Sequence, residues 1–340
     1  MPEMSVIVLN WNGKQFLGTC LSALRCQTFR DFETILVDNG SQDDSVGYVR
    51  QHFPGVSVLS LERNLGFAAG NNAGYEQARG KLIVLLNNDT EADPHWLEEI
   101  HNASREFPSA GIFASKMLFF DQRNRIDNCG FDLTSAGATL DLGRGEEDGP
   151  AWATPREVFG ACGGAVAYHR SMLEDIGFLD PDFFMNYEDV DLGFRARLQG
   201  FTCVFIPTAI VYHHSAATRK KFPAAQTFYS QRNVEYLYLK NMPFMLILRS
   251  LPQRLLYELG AAVYFFKLGV GAAFLRAKID VFRQLPSVLR KRGAIQKRRT
   301  LTNSQLRGQF RDCLSSKWRK FWSVWRTSSQ SAVQNSRQAS

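Results

Sequence analysis

The sequence predicts an α/β fold: a doubly wound half built on parallel strands, followed by a helical, basic C-terminal appendage. Three observations carry this. Apolar strand-like runs alternate four times with helix-period segments before residue 90, with short connections between them. Those runs are unbroken rather than alternating, as in strands covered on both faces. Charge is split along the chain: residues 241–340 hold 19 of the 40 Lys/Arg but only three Asp/Glu, a net of +16, leaving residues 1–240 at −9. A basic tail speaks about partners rather than fold.

The elements follow in order. Val6–Leu9 reads as a buried strand ending in Asn10-Trp11-Asn12-Gly13, and Leu17, Leu21 and Leu24 then recur at helical spacing. Thr34–Val37 is a second strand, ending in Asp38-Asn39-Gly40-Ser41, after which Asp43 and Asp44 open a helix. Val56–Leu61 is a third strand and leads into Arg63-Asn64-Leu65-Gly66-Phe67. Gly66, Gly70 and Gly74, four apart, mark the close-packing face of the next helix; they do not form a dinucleotide or P-loop fingerprint. Leu82–Leu86 is the fourth strand and stops abruptly in Asn87-Asn88-Asp89-Thr90. Beyond it, Gly111–Phe120 and Gly163–Tyr168 read as strands flanking a Gly-, Asp- and Arg-rich stretch, Asp121–Pro155, expected to form hairpins and loops over a site. Glu188–Leu198 reads as a helix stopped by Gly200. Thr202–Ile206 and Ala209–Val211 read as two short strands around Pro207, and Gln226–Lys240 as a helix. The expected units are a catalytic-type domain over 1–240, a helical region over 241–326 and a disordered tail over 327–340.

Each of the first four strands ends in polar residues. In an open α/β sheet ligands bind beyond the carboxyl ends of the strands, so Asn10, Asp38, Asn64, Asn87 and Asn88 are candidates for a polar rim. Asp89 is a carboxylate among amides, a setting suited to a hard cation such as Mg²⁺ or Mn²⁺ that keeps waters and shares phosphate oxygens. The plainer alternative is that Asn87–Thr90 merely caps the helix starting near Pro94. Glu188, Asp189 and Asp191 fall in the first turn of a helix, where the macrodipole alone favours acids. They follow the aromatic run Phe183-Phe184-Met185-Asn186-Tyr187, a wall able to exclude water and raise a carboxyl pKa. Glu188, Asp191 and Arg195 share a face, which frees Asp189 to act as a general base. Of His213 and His214, at most one faces the site, because neighbours alternate across a strand.

In this order and spacing, Asn10-x-Asn12, Asp38-Asn39-Gly40-Ser41, Arg63-Asn64-x-Gly66-Phe67, Asn87-Asn88-Asp89, Glu188-Asp189-x-Asp191-Leu192 and His213 resemble the family-two glycosyltransferases of the GT-A fold. The resemblance covers residues 4–240 and is strongest to the bacterial branch rich in rhamnosyltransferases. It implies a Rossmann-like nucleotide-sugar-binding half, an acceptor half, and a single displacement that inverts the anomeric carbon. Carried over, Asp38 would bind the base and ribose of a nucleotide diphosphate sugar, with Asn10 and Asn64 lining the same pocket. Asp89 would hold a divalent metal on the diphosphate and His213 would complete that contact. Asp189 would be the catalytic base, with Glu188 and Asp191 beside it. Asn87 stands where many members carry a first Asp, so the metal site has one charge fewer. A degenerate GT-A domain that binds nucleotide-sugar without turnover is the alternative this departure suggests.

Composition narrows the remaining choices. Six scattered cysteines contain no C-x-x-C pair or zinc spacing, which points to reduced thiols in a cytosolic protein. The chain enters a strand almost at once, so no signal peptide is expected. Leu259–Leu275 carries one charge, Lys267, and is too short and too interrupted for a confident span. With Arg249, Arg254, Arg276, Lys278 and Arg283 punctuating Pro243–Leu285, and Trp318, Phe321, Trp322 and Trp325 among later bases, residues 243–326 read as attachment to an anionic membrane surface. The expected partners are therefore a nucleotide diphosphate sugar, a glycan or lipid-linked acceptor and the inner face of the cell membrane, in a cytoplasmic, peripherally bound protein. A nucleic-acid-binding protein using the basic tail is the reading from another class. It leaves the polar rim without a purpose, so no nucleic-acid partner is expected.

Overall fold

A computed structural model describes residues 1–215 and 223–311. Thr218, Cys313, the tryptophans from Trp318 onward and the expected disordered tail lie outside the described residues. The first half is β1 (Met4–Asn10), α1 (Lys14–Arg25), β2 (Phe32–Asp38), α2 (Ser45–His52), β3 (Ser57–Ser60), α3 (Gly66–Gln77) and β4 (Leu82–Asn87). These strands lie parallel in the order β3-β2-β1-β4. Then come β5 (Thr90–Ala92), α4 (Trp96–Glu106), β6 (Ala110–Phe119), β7 (Gln122–Asn128), β8 (Phe131–Leu133), β9 (Thr139–Asp141), β10 (Arg156–Val158), β11 (Ala165–His169) and α5 (Arg170–Ile176). The described chain closes with α6 (Glu188–Leu198), β12 (Thr202–His213), α7 (Pro223–Asn241), α8 (Phe244–Lys267), α9 (Gly271–Arg298) and α10 (Asn303–Gln309). The sheet continues from β4 through β11, β6, β12 and β10. β11 runs antiparallel to both its neighbours and turns the α/β half into a mixed sheet.

Strand periodicity divides the core between the two faces. Val6, Val8, Leu36, Val84 and Leu86 pack under α1 and α4, against Leu17, Leu21, Trp96 and Ile100. Ile7, Ile35, Val37, Ile83 and Leu85 face the other way, towards Ala68, Met172, Leu192 and Ala196. The glycine spacing in α3 has the steric cause expected of it. A Cβ on Gly70 would come 2.5 Å from Leu9, and one on Gly74 2.6 Å from Ile7, so these glycines let the helix lie on β1.

Two local expectations are corrected. The two strands expected around Pro207 are one strand, β12, which absorbs the proline at a register shift between Ile206 and Ile210 against β6. Proline has no N–H for a ladder, and a bulge removes the need for one. Asn87–Thr90 does not cap the following helix, because β5 intervenes and pairs with β12 before α4 begins.

A third core joins α6 to the C-terminal helices: Phe183, Val190 and Phe194 meet Tyr236, Leu237, Met242, Leu246, Val281 and Val288. The boundary expected at residue 240 lies inside α7, and this core crosses it. The helices are also tied by charge. Buried Arg254 reaches Glu235 and Glu258, each at 2.7 Å, and donates to the Ala136 carbonyl at 2.7 Å. Lys278 bridges the same two carboxylates. Burial opposes the Glu235 charge, but Arg254 and Lys278 outweigh it and hold its carboxyl down at about 2. A carboxyl depressed in the folded state adds stability that is present above its unfolded pKa and lost as pH falls through the folded one. Thermal unfolding of the wild type should therefore lose midpoint temperature between about pH 4.5 and 2, and Glu235→Gln should flatten that fall while lowering the midpoint at neutral pH.

Candidate active site

The parallel register brings three strand ends to one edge, with Asn10 opposite Asp38 and Leu9 opposite Asn87. There the polar side chains bond to one another. Asp38 accepts from Asn10 Nδ2 at 3.1 Å and from the Ser41 amide at 3.0 Å; Asn10 Oδ1 accepts from Asn88 Nδ2 at 2.7 Å. Asn10 and Asp38 are buried, so the rim is fixed before any ligand arrives. Asn64 works mainly as a brace: its Oδ1 accepts from Asn39 Nδ2 at 3.0 Å and from the Gly66 amide at 2.8 Å, shaping the turn into α3. Gly66 has φ +86°, and a Cβ there would meet the Phe184 carbonyl at 2.5 Å, so the turn also seats the loop before α6.

Asp89 follows β4 and meets the end of β12, where its Oδ1 lies 3.3 Å from His213 Nε2. His213 Nδ1 bonds Asp127 Oδ2 at 2.6 Å, and the buried Asp127 carboxylate also takes Arg144 and, at 3.1 Å, the Ser215 hydroxyl. Burial opposes a charge on His213, but hydrogen bonds to Asp127 and Asp89 prevail and carry the imidazole up to about 9. Asp127 is held below the usual carboxylate range, burial being overcome by His213 and Arg144. His214 points the other way, stacked on Phe120 at 3.8 Å between ring centroids. The two histidines thus divide as strand alternation requires.

Asp189 sits half-buried in the first turn of α6. Its Oδ2 accepts from the Gly163 amide at 2.8 Å, and its Oδ1 from the Val190 amide at 2.7 Å. Burial pushes its carboxyl up against the pull of those two amides. The next residue of the same turn, Gly164, accepts from the Asn87 amide at 2.9 Å. One glycine pair therefore clasps Asp189 on one side and the end of β4 on the other. A Cβ on Gly163 would come 3.3 Å from Phe67, and one on Gly164 3.3 Å from Asn87 Nδ2.

The other two acids of the helix have different surroundings. Glu188 is buried, its Oε2 has no hydrogen-bond partner, and burial beside Asp189 drives its carboxyl far up, towards the neutral acid. Asp191 is fully enclosed by Arg195 at 2.8 Å, Asn241 at 2.7 Å and Lys240 at 3.0 Å. Burial is outweighed by Lys240 and Arg195, and Asp191 stays ionised. An enclosed, triply held carboxylate positions its helix and has no access to a reacting atom.

Sequence reasoning missed Asp127, Arg144 and the Gly163–Gly164 turn. The first two lie in the Asp121–Pro155 stretch expected to cover the site, but no spacing distinguishes Asp127 from its neighbours. Its importance depends on a contact 86 residues away.

Among the described residues no group of three or more His, Cys, Asp or Glu forms a metal cage. Asp89 nevertheless fits a cation whose remaining positions are filled by phosphate oxygens and water, the usual arrangement for Mg²⁺ in nucleotide sites, and His213 Nε2 can join it once the cation displaces the proton directed at Asp89. A histidine bonded through its other nitrogen to a carboxylate is the usual support for a metal ligand.

The chain matches Glycosyl transferase family 2 over residues 5–177. It belongs to that family. It is 26% identical over 252 residues to the N-acetylglucosaminyl-diphospho-decaprenol L-rhamnosyltransferase of Mycobacterium tuberculosis, covering 65% of this chain and 79% of that one. It is 28% identical over 230 residues to the O-antigen biosynthesis protein RfbC of Myxococcus xanthus, covering 64% of this chain and only 18% of RfbC. The fold is GT-A. GalNAc-T7, solved with UDP, GalNAc and Mn²⁺, superposes with a TM-score of 0.55 at 16% identity, covering 71% of this chain and 50% of that one. Staphylococcus aureus TarS 1–349, solved with UDP, gives 0.50 at 15% identity, covering 83% and 91%. The family match ends before Asp189 and His213, so these two rest on the geometry above.

Asp127→Asn keeps the shape but weakens the hold on His213. Mn²⁺ affinity, read by electron paramagnetic resonance of the free ion, should fall about 10- to 100-fold, with the circular dichroism spectrum unchanged.

Proposed function

We propose that this glycosyltransferase moves a sugar, rhamnose foremost, from a nucleotide diphosphate donor to a glycan or lipid-linked acceptor in cell-surface polysaccharide synthesis, with inversion at the anomeric carbon. The observation that carries the reading is the glycine clasp: it sets the Asp189 carboxylate against the strand end that leads directly to Asp89. The relative named as a rhamnosyltransferase supports the sugar.

In this reading Asp38, Asn10 and Asn88 form the fixed floor for the nucleoside, with Asn64 and Asn87 shaping its margins. Asp89 and His213 would hold Mg²⁺ or Mn²⁺, which supplies positive charge to the departing diphosphate. Asp189 accepts the proton of the acceptor hydroxyl as its oxygen forms a bond to the anomeric carbon from the face opposite the diphosphate. The bond to the diphosphate breaks with its electron pair, and the configuration inverts. Burial makes Asp189 a stronger base than an exposed aspartate. Neutral Glu188 spares it a like charge, and Asp191 anchors the turn that aims it. The enzyme works at the cytoplasmic side of an anionic membrane, where residues 243–326 keep it.

Two measurements test this. A thermal-shift panel of nucleotide sugars, with and without Mn²⁺, should show one nucleotide class raising the unfolding temperature by several degrees, and more with the ion. No shift with any donor would sink the reading. Asp189→Asn should lower kcat by about 10²- to 10⁴-fold and leave nucleotide affinity within about twofold, the separation expected when binding is intact and only proton removal is lost.

A further inference from the structure

The outer faces of α8 and α9 take no part in the clasp or the cation site. α8 turns Leu246, Ser250 and Arg254 inward. At helical spacing on its other side stand Phe244, Leu248, Leu255, Leu259, Val263 and Phe266, each 51 to 67% exposed. α9 buries Ala273, Ala277, Val281 and Val288 and leaves Leu275, Ile279, Phe282 and Leu289 outside, Phe282 at 74%. An apolar stripe along a 24-residue helix, about 36 Å long, is far more than the scattered leucines of an ordinary surface.

The charges on these helices are sorted by side. Their two acids both turn inward: Glu258 to Arg254 and Lys278, Asp280 to Arg232. Arg249, Arg276, Arg283, Arg290, Lys297 and Arg298 are exposed. The outer faces therefore combine apolar side chains with positive charge and present no exposed carboxylate. A second copy of the chain would be a poor occupant, since a two-fold contact would set arginine against arginine. Crossing a bilayer is also ruled out for these helices, because none among the described residues is long and apolar enough. What suits apolar stripes edged with arginine is the boundary between acyl chains and anionic headgroups.

We propose that the outer faces of α8 and α9 dock on an anionic phospholipid bilayer and lie in its interface. The proposal deepens the membrane reading above and rests on it. It also bears on the acceptor. Asn241 holds Asp191, two residues beyond Asp189, and Phe244 begins the stripe three residues after Asn241. The lipid surface is thereby set beside the helix that carries the base, which favours an acceptor anchored in lipid over a free glycan.

The test uses the full chain and co-sedimentation with vesicles of phosphatidylcholine alone or mixed with phosphatidylglycerol. The wild type should bind the mixed vesicles, less tightly as salt rises. The triple variant Leu255→Ser, Leu259→Ser, Phe282→Ser should partition at least about tenfold more weakly and keep the same thermal shift with whichever nucleotide sugar of the panel shifts the wild type most, which shows the fold intact. A triple variant that binds like the wild type would assign attachment to another part of the chain and overturn the proposal. So would a wild type that ignores anionic vesicles, whether monomeric or self-associated in analytical ultracentrifugation. Loss of the nucleotide shift in the wild type would instead strike the transferase reading, independently of the vesicle result.

Discussion

Two adjacent glycines hold the candidate site together. Gly163 gives its amide to Asp189, and Gly164 gives its carbonyl to Asn87, so one turn of backbone joins the N-terminus of α6 to the end of β4. The clasp is tightly packed, since a Cβ on Gly164 would come 2.9 Å from Met117 and one on Gly163 3.3 Å from Phe67. It sets the spacing between Asp189, carried by the second half, and a polar rim carried by the first. Backbone hydrogen bonds suit this role, because they fix position without adding another charge to a site that already holds several.

The carboxylates around this clasp illustrate how surroundings assign roles to like residues. Glu188, Asp189 and Asp191 share one helical turn, yet burial pushes the first towards the neutral acid, two backbone amides hold the second, and three cationic or amide groups lock the third. Asp191 also connects the turn to α7 through Lys240 and Asn241. Lys240 bridges Asp180 as well, and Lys291 of α9 reaches Asp180 and Asp182. Breaking such a buried pair from one side leaves an uncompensated charge, at about 3–5 kcal/mol. The C-terminal helices are for that reason part of the support of the turn that carries Asp189 as well as a basic surface.

That dual use explains the charge split along the chain. Some bases of the C-terminal region face inward to neutralise Glu235 of α7 and Asp180 and Asp182 of the loop before α6, while others stand on the outer faces of α8 and α9 with exposed leucines and phenylalanines. Neither function alone accounts for the composition. A region serving only as a brace would not leave Phe282 and Leu259 in water, and one serving only as an outer surface would not bury Arg254.

The sequence by itself determined the parallel half, because unbroken apolar runs and period-four glycines are local signals with one economical packing. It determined the rim too, since a residue directly after such a run must stand at the strand's carboxyl edge. The positions of Asp38 and Asp89 were legible for that reason, that of Asp189 from its place in the first turn of a helix, and the opposite facing of His213 and His214 from strand alternation. The tertiary structure alone decided which polar groups support the others. Asp127 sits in an irregular stretch with no periodicity, and only the pairing of β7 with β6 and of β6 with β12 carries it to His213. The continuity of β12 through Pro207 was equally hidden, because a bulge depends on the partner strand. Long-range contacts leave no mark in local spacing, and in this protein they decide which acids are locked in place and which remain free to act.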